Sequence, residues 1–271
     1  MVRSLWSGAT GMLAQQTAVD TISNNIANVN TTGYKTSQNE FKSLLYQELQ
    51  TKTTTANAEP KPIDSQVGLG VRSSSITTIF RQGAFLESAS DSSFAIDGKG
   101  FFAVKRSDGS TAYTRNGDFH WATTTTGLAL TDSDGNAVLD SQGREIKLNG
   151  DYTTSRITLS QEGDLCYPDE KNNPRSMGIK IGAWQFNNPA GLEKLSDSLY
   201  LVSDASGEAM NEFTNNNLDK SRVVQGYLEG SNVQLADEMV NLIVAQRAYE
   251  ANSRVITTTD TMMQQANQLK Q

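Results

Sequence analysis

The sequence predicts an α+β chain, with paired N- and C-terminal helices in coiled-coil style and an all-β body between them. Three observations carry this. The first 30 residues hold an apolar stripe at helical spacing. Residues 233–269 hold a stronger one. The stretch between them is cut into short β-forming runs by turn residues about every 8–12 positions, as in a sandwich or irregular barrel. No internal repeat and no helix–strand alternation interrupts that division.

At the N-terminus, Leu5, Ala9, Met12, Val19, Ile22, Ile26 and Val29 are spaced by threes, fours and one seven. Ser4 is the expected N-cap. The stripe stops at Asn30-Thr31-Thr32-Gly33, where Gly33 can supply a left-handed turn. This helix is intrinsically weak. Gly8 and Gly11 cost about 1 kcal/mol each relative to Ala. At the C-terminus, Leu235, Met239, Leu242, Tyr249, Ile256 and Met263 fall on alternating a and d heptad positions. Gln246, Ser253 and Asp260 complete that register, which makes the seam partly polar. At 1.5 Å per residue this helix runs about 50 Å.

In the middle, Phe101–Lys105 and Thr111–Thr114 flank Ser107-Asp108-Gly109-Ser110, a hairpin signal. Ala137–Leu139 and Glu145–Leu148 flank Asp140-Ser141-Gln142-Gly143 in the same way. Further strands are expected at Ile157–Leu159, Ile179–Ala183 and Leu199–Val202. Residues 46–68 are polar, threonine-rich and punctuated by Pro60 and Pro62, which suits a flexible or extended connector. Residues 205–220 read as a second polar connector.

Composition excludes several functions. Lys and Arg total 23 against 30 Asp and Glu, a formal charge of -7. Tracking a phosphate backbone needs clustered cations, so no nucleic-acid partner is expected. Hydrophobic residues are 37%, and 21 glycines bring the comparable apolar share to roughly 45%, near the globular norm. With one cysteine, Cys166, and one histidine, His120, neither a disulfide nor a cysteine-built zinc site can form, and no metal or cofactor is expected. No run approaches the ~18 apolar residues of a transmembrane helix. The N-terminal stretch, broken by Gly8, Gly11, Gln15 and Gln16, does not read as a secretory signal.

Neither terminal stripe can bury itself. Each large apolar side chain gains ~1.5–3 kcal/mol on burial, so the two helices are expected to pack on each other. Trp6, Leu13, Ile243, Val244 and Val255 fall off the main seams. A closed two-helix lid on the β core is one solution. Self-assembly through the uncovered faces, giving rings or open helical filaments, is the other.

Long motifs support the second. Ser23-Asn24-Asn25-Ile26-Ala27-Asn28-Val29-Asn30-Thr31-Thr32-Gly33-Tyr34-Lys35 is similar to the N-terminal signature of the bacterial flagellar rod and hook family. Ser231-Asn232-Val233, Glu238–Ile243, Gln246–Asn252 and Thr257–Asp260 resemble its C-terminal signature. Ile96–Phe102 and Tyr113–Phe119 fit the family too. Within it, Met1–Trp6 and Phe41–Gln47 are most similar to subunits of the distal rod, and residues 46–68 occupy the place of an insertion that hook subunits generally lack. Residues 120–178 are expected to fall outside the family's pattern.

The resemblance implies an inner domain of the terminal helices (1–30 and 236–271), a connecting region (31–70 and 220–235) and an outer β domain (71–219). It implies a homo-polymer forming a straight, hollow rod that transmits torque from motor to hook. Adjoining proximal rod and hook subunits are the implied neighbours, with the question of bushing rings left open. Export would be by the flagellar type III apparatus, and the location outside the cytoplasmic membrane, in the periplasm or cell-wall region. The implied interface residues are Leu5, Met12, Val19, Ile22, Asn24, Asn25, Ile26, Asn28 and Tyr34 with Leu235, Met239, Leu242, Gln246, Arg247, Tyr249, Glu250, Ile256 and Met263. A hook or proximal rod subunit is the alternative in the same class. A secreted glycan-binding β domain on a helical stalk is the alternative from another.

Other motifs have plainer readings. Asp132-Ser133-Asp134-Gly135-Asn136 lacks the Gly and Glu that an EF-hand places at its sixth and twelfth positions, and reads as a turn. Gly98-Lys99-Gly100 lacks P-loop spacing and opens a strand. His120 has no nucleophile elbow to serve, so no enzyme is expected. Cys166, near Pro168 in an expected turn, reads as a small apolar filler. Asn24, Asn25 and Asn28 either end the helix or hydrogen-bond between subunits, two compatible readings. Arg247 and Glu250 are either a solvated face or inter-subunit ion pairs.

Overall fold

The computed structural model describes residues 2–50, 65–125, 127–149, 152–160, 162–169, 173–215 and 217–269. The chain divides into two compact units: Met1–Ala27 with Ser37–Thr78 and Gln234–Gln271, and Asn28–Thr36 with Ile79–Val233.

In the first unit, helix α1 (Val2–Ala27) is followed by strands β1 (Ser37–Ser43), β2 (Tyr46–Gln50), β3 (Ser65–Gly68) and β4 (Val71–Thr78), and α2 (Leu235–Gln268) closes it. Strands β1 and β4 pair antiparallel from Ser37↔Thr78 to Ser43↔Val71, with a bulge at Glu40/Phe41, and both touch α1. Strands β2 and β3 form a second antiparallel ladder, Tyr46↔Gly68 to Gln50↔Ser65. The expected connector at 46–68 is therefore ordered at both flanks. Gly68 leaves room for Tyr46, whose ring carbon Cε1 would lie 3.4 Å from a Cβ there. Residues 51–64, including Pro60 and Pro62, lie outside the described residues.

The second unit is β structure. Its largest sheet runs 147–148, 127–131, 137–138, 102–105, 111–114, 199–201 and 193–194, with 120–124 also pairing 127–131. A three-stranded sheet joins 158–159, 164–168 and 174–180, and strand 94–97 pairs with 222–225. The hairpin at 101–114 forms in the register Phe102↔Thr114 to Lys105↔Thr111, with Gly109 at φ 85° in its turn. Side chains of successive strand residues point to opposite faces. Phe102 and Val104 accordingly enter one core cluster with Phe94, Phe119, Leu130 and Ile181. Phe101 and Ala103 enter another with Tyr113, Trp184, Phe186 and Tyr200.

Four local expectations differ from the structure. Ser4 lies inside α1, which begins at Val2, and its Oγ meets Thr259 Oγ1 at 3.3 Å. Cys166 is buried within strand Asp164–Pro168, not in a turn. The stretch 205–220 is more than a connector: Met210–Asn211 pairs with Trp184–Gln185, and the buried Glu212 carboxylate accepts bonds from Gln185 Nε2, Ser221 N and Ser221 Oγ. The boundaries also fall elsewhere. Residues 71–78 pair with β1 in the first unit, whereas 222–225 belong to the β body because they complete the strand pair with 94–97. At Asp132–Asn136, the Asp132 carboxylate accepts from Asp134 N, Asn136 N and Asn136 Nδ2, holding a turn with Gly135 at φ 83°.

Candidate assembly interface

Helices α1 and α2 run antiparallel. Ser4 meets Thr259, Gly8 faces Ile256, Gly11 faces Asn252, and Asn25 reaches Glu238. The residues α1 buries are Gly8, Gly11, Ala14, Ala18, Thr21 and Asn25, at helical spacing and all small or polar. A Cβ on Gly11 would lie 2.7 Å from Asn252 Nδ2, and one on Gly8 3.0 Å from Ile256 Cγ1. The two glycines that weaken the isolated helix are the positions where the pair closes.

The face of α2 turned to α1 carries Glu238, Leu242, Ala245, Asn252, Ile256 and Thr259. Leu242, Ile256 and Met263 are half-buried at the expected heptad positions, whereas Tyr249 is exposed. The intervening ones are Ala245, Asn252 and Thr259, one residue before the expected Gln246, Ser253 and Asp260. The signal lay in the glycines of α1: Gly8 and Gly11 let Ile256 and Asn252 pack close to its backbone. Three residues of α2 are buried: Glu238, Ala245 and Thr259.

Most of the expected interface residues flank this seam. Leu5, Met12, Val19, Ile22 and Ile26 are half-buried, as are Leu242, Ile256 and Met263. Leu235, Met239, Gln246, Arg247, Tyr249 and Glu250 are exposed. Val19, Gln246, Tyr249 and Glu250 come together with Gln16 around a groove of about 390 Å³. Trp6, Leu13, Ile243, Val244 and Val255 are 45–65% exposed. Asn24 lies exposed, and the Asn28 amide oxygen accepts from Thr31 Oγ1.

Asn25 is used inside the chain. Its Nδ2 donates to Ser37 O at 2.8 Å, and its Oδ1 accepts from Ser37 N at 2.9 Å, so one amide ties the end of α1 to the start of β1. Nδ2 also reaches Glu238 Oε1 at 3.3 Å. Burial pushes the Glu238 carboxyl above its ordinary range; the Asn25 bond opposes this and the Asp237 charge adds to it. At 1% exposure Asn25 has no surface to offer a neighbour.

A second cluster, which sequence reasoning missed, lies in the β body. The buried Glu229 carboxylate accepts from Lys35 Nζ, from Gly83 N at 2.9 Å and from Arg115 Nη1 at 3.2 Å. Lys35 Nζ also donates to Arg81 O, and Arg115 Nη2 to Gly98 O, each at 2.9 Å. The Arg115 guanidinium stacks on Phe101, 4.9 Å from the ring centre. Burial pulls both cations below their ordinary values, and the Glu229 charge opposes it. Gly33 N donates to Glu229 O at 2.7 Å. Gly33 takes φ 70°, and a Cβ there would lie 2.5 Å from Asn116 N. The left-handed glycine expected from the sequence therefore serves a contact inside the β body, joined to Tyr34 O···H–N Asn232 beside it. Tyr34 is half-buried there. Charged residues 80 or more positions apart gave no sequence signal of their pairing.

Family comparison gives the class. Residues 5–35 match the family described as flagella basal body rod protein, residues 95–167 the flagellar hook protein FlgE/F/G D1 domain, and residues 224–269 the flagellar basal body rod FlgEFG protein C-terminal. Full-length relatives narrow it. The flagellar basal-body rod protein FlgG of Borreliella burgdorferi is 40% identical, covering 100% of this chain and 99% of the relative. That of Bacillus subtilis is 37% identical over 100% of both. The flagellar hook-basal body complex protein FlhP of Bacillus subtilis is 30% identical over 100% of both. The chain belongs to the flagellar basal-body rod protein family and is a structural rod subunit of the bacterial flagellar basal body, outside the cytoplasmic membrane.

Proposed function

We propose that copies of this chain assemble through the exposed faces of α1 and α2 into a straight, hollow distal rod. In this reading the terminal helices line the inside of the tube, and the connecting region (31–70 and 220–235) and the β body form its outer wall. The rod carries torque from motor to hook, touches proximal rod and hook subunits at its ends, and receives each copy from the flagellar type III export apparatus. Its work is mechanical and calls on no catalytic group. The carrying observation is the exposure of Trp6, Leu13, Ile243 and Val244 beside a seam that buries small side chains. Exposed apolar patches of this kind mark interfaces, and a heterologous contact repeated along an axis builds a filament.

Electron microscopy of concentrated purified protein tests this. Straight tubes are expected, and Leu13→Glu with Ile243→Glu should abolish them. The double variant should leave monomer unfolding within about ±0.5 kcal/mol, as surface substitutions do. Tubes that persist in the double variant would remove these faces from the interface. Shortening 46–68 should give curved tubes, whereas a hook or proximal rod subunit would be indifferent to that change.

A further inference from the structure

The chain enters or leaves the β body at Asn28, Thr36, Ile79 and Val233. Between Asn28 and Thr36 it only dips into the body and returns to the helical unit. These passes are the covalent routes from the helices into the body. One side chain ties three of them. The Asn232 Oδ1 accepts from Thr36 N at 2.8 Å and from Thr36 Oγ1 at 2.7 Å. Its Nδ2 donates to Ile79 O at 2.8 Å and to Arg81 O at 3.0 Å. A side-chain amide has two N–H groups and two lone pairs on its oxygen, so Asn232 uses its whole capacity on passes other than its own. Ile79 N donates to Thr36 O at 2.9 Å, and Asn232 N to Tyr34 O at 3.4 Å. The same three segments meet a second time where Lys35 Nζ bonds both Glu229 and Arg81 O. The pass that begins at Asn28 is held by Thr32 Oγ1, which donates to Asn116 Oδ1 at 2.9 Å.

The direction of these segments decides how the bonds meet a load. Gly33 bonds Glu229, Tyr34 bonds Asn232 and Thr36 bonds Asn232, so the numbers rise together and the two passes run side by side in one sense. Pulled from the N-terminal side of one and the C-terminal side of the other, such segments slide against all their bonds at once. The helical pair is the opposite case. Ser4 meets Thr259, each near its own end of the chain, so the same pull peels the helix contacts one after another.

We infer that Asn232 is a clasp that makes the passes take load together, so that torque enters the β body through a fastened collar instead of through independent tethers. Without the clasp, residues 28–36 can be drawn from the body by themselves. The use given to this collar rests on the rod reading, whereas its strength is measurable on a single molecule. Asn232→Asp is nearly isosteric, yet it sets an oxygen against Ile79 O and Arg81 O and turns two attractions into repulsions.

Force spectroscopy of the full-length monomer tests the clasp, because forced unfolding reads the rate of rupture directly. With handles at the two termini, the parent should show a high-force rupture after the helices have given way. Asn232→Asp should break at least about tenfold faster at the same load, the loss of one or two hydrogen bonds. Thr36→Val removes only the Oγ1 bond and should give a smaller acceleration in the same direction. The control is a second pulling direction. Handles on Ser107→Cys and Gln142→Cys, both exposed turn positions, load the body without crossing the collar, and the native Cys166 is buried. Along that direction Asn232→Asp should break at the parent's rate. Equal weakening in both directions would make Asn232 an ordinary stabilising residue and overturn the clasp, as would unchanged rupture at the termini in both variants. A directional effect in a protein that forms no tubes would uphold the clasp and remove the rod reading alone.

Discussion

The β body and the helical pair handle large apolar side chains in opposite ways. The body seals Phe94, Phe101, Phe102, Phe119 and Leu130 at about 1% exposure or less. It even encloses a carboxylate between two cations. The helical pair buries glycine, alanine, threonine and asparagine, and leaves Trp6 and Val244 more than 60% exposed. The body has the burial of a finished domain. The pair closes on one thin edge of small residues and leaves its larger apolar side chains uncovered. Deep burial and apolar exposure thus fall to different segments of one chain, and substitutions should separate their effects.

The largest effect should come from Glu229→Ala in the body. Removing it leaves Lys35 and Arg115 as buried cations without their carboxylate, and leaves Gly83 N without its acceptor. Breaking a buried ion pair from one side costs about 3–5 kcal/mol. Urea unfolding followed by near-ultraviolet signals of the Trp184 cluster should shift to much lower denaturant. A shift below 1 kcal/mol would mean that this cluster does not hold the body together.

A smaller effect is expected from Gly11→Leu in the helical pair. The side chain would have to displace Asn252 from a surface that already meets Gly11 closely. Overpacking of this kind costs about 1–3 kcal/mol, offset by about 1 kcal/mol of helix propensity regained. Helical circular dichroism should melt earlier while the aromatic signal of the body stays in place. If both signals move together, the two units unfold as one and the contrast between them is lost.

What was legible in the sequence follows the same contrast. Helix existence, the 101–114 hairpin and the left-handed Gly33 were readable because each is a local pattern. The seam between the helices was misplaced by one residue on α2, and on α1 it lies between the large residues of the stripe. Hydrophobic periodicity weights large side chains, whereas this interface is decided by how closely two backbones approach. Gly8 and Gly11 read as defects until Ile256 and Asn252 are set against them. Asn25 read equally as a helix end or a subunit contact, because its partner Ser37 is reached only once the chain has turned back. The exposed positions Trp6, Leu13, Ile243, Val244 and Val255 were legible, since falling off every seam is itself a pattern. The Lys35–Glu229–Arg115 cluster was invisible, because only the fold brings its members together.

The smallest effect concerns the one acidic side chain in the helical seam. Burial raises the Glu238 carboxyl above its model-compound value of 4.5 in the folded pair. Below the unfolded value both states hold the proton and no penalty exists. As pH rises through that value, the unfolded chain ionises first, so folding loses stability until the folded value is passed. The helical pair should therefore melt lower at neutral pH than near pH 4 through this residue. Glu238→Gln cannot ionise and still offers an oxygen to Asn25 Nδ2. Its melting midpoint should match the parent in acid and exceed it at neutral pH, read by helical circular dichroism across a pH series. A lower midpoint at neutral pH would show instead that the charge on Glu238 strengthens its bond to Asn25 by more than burial costs it.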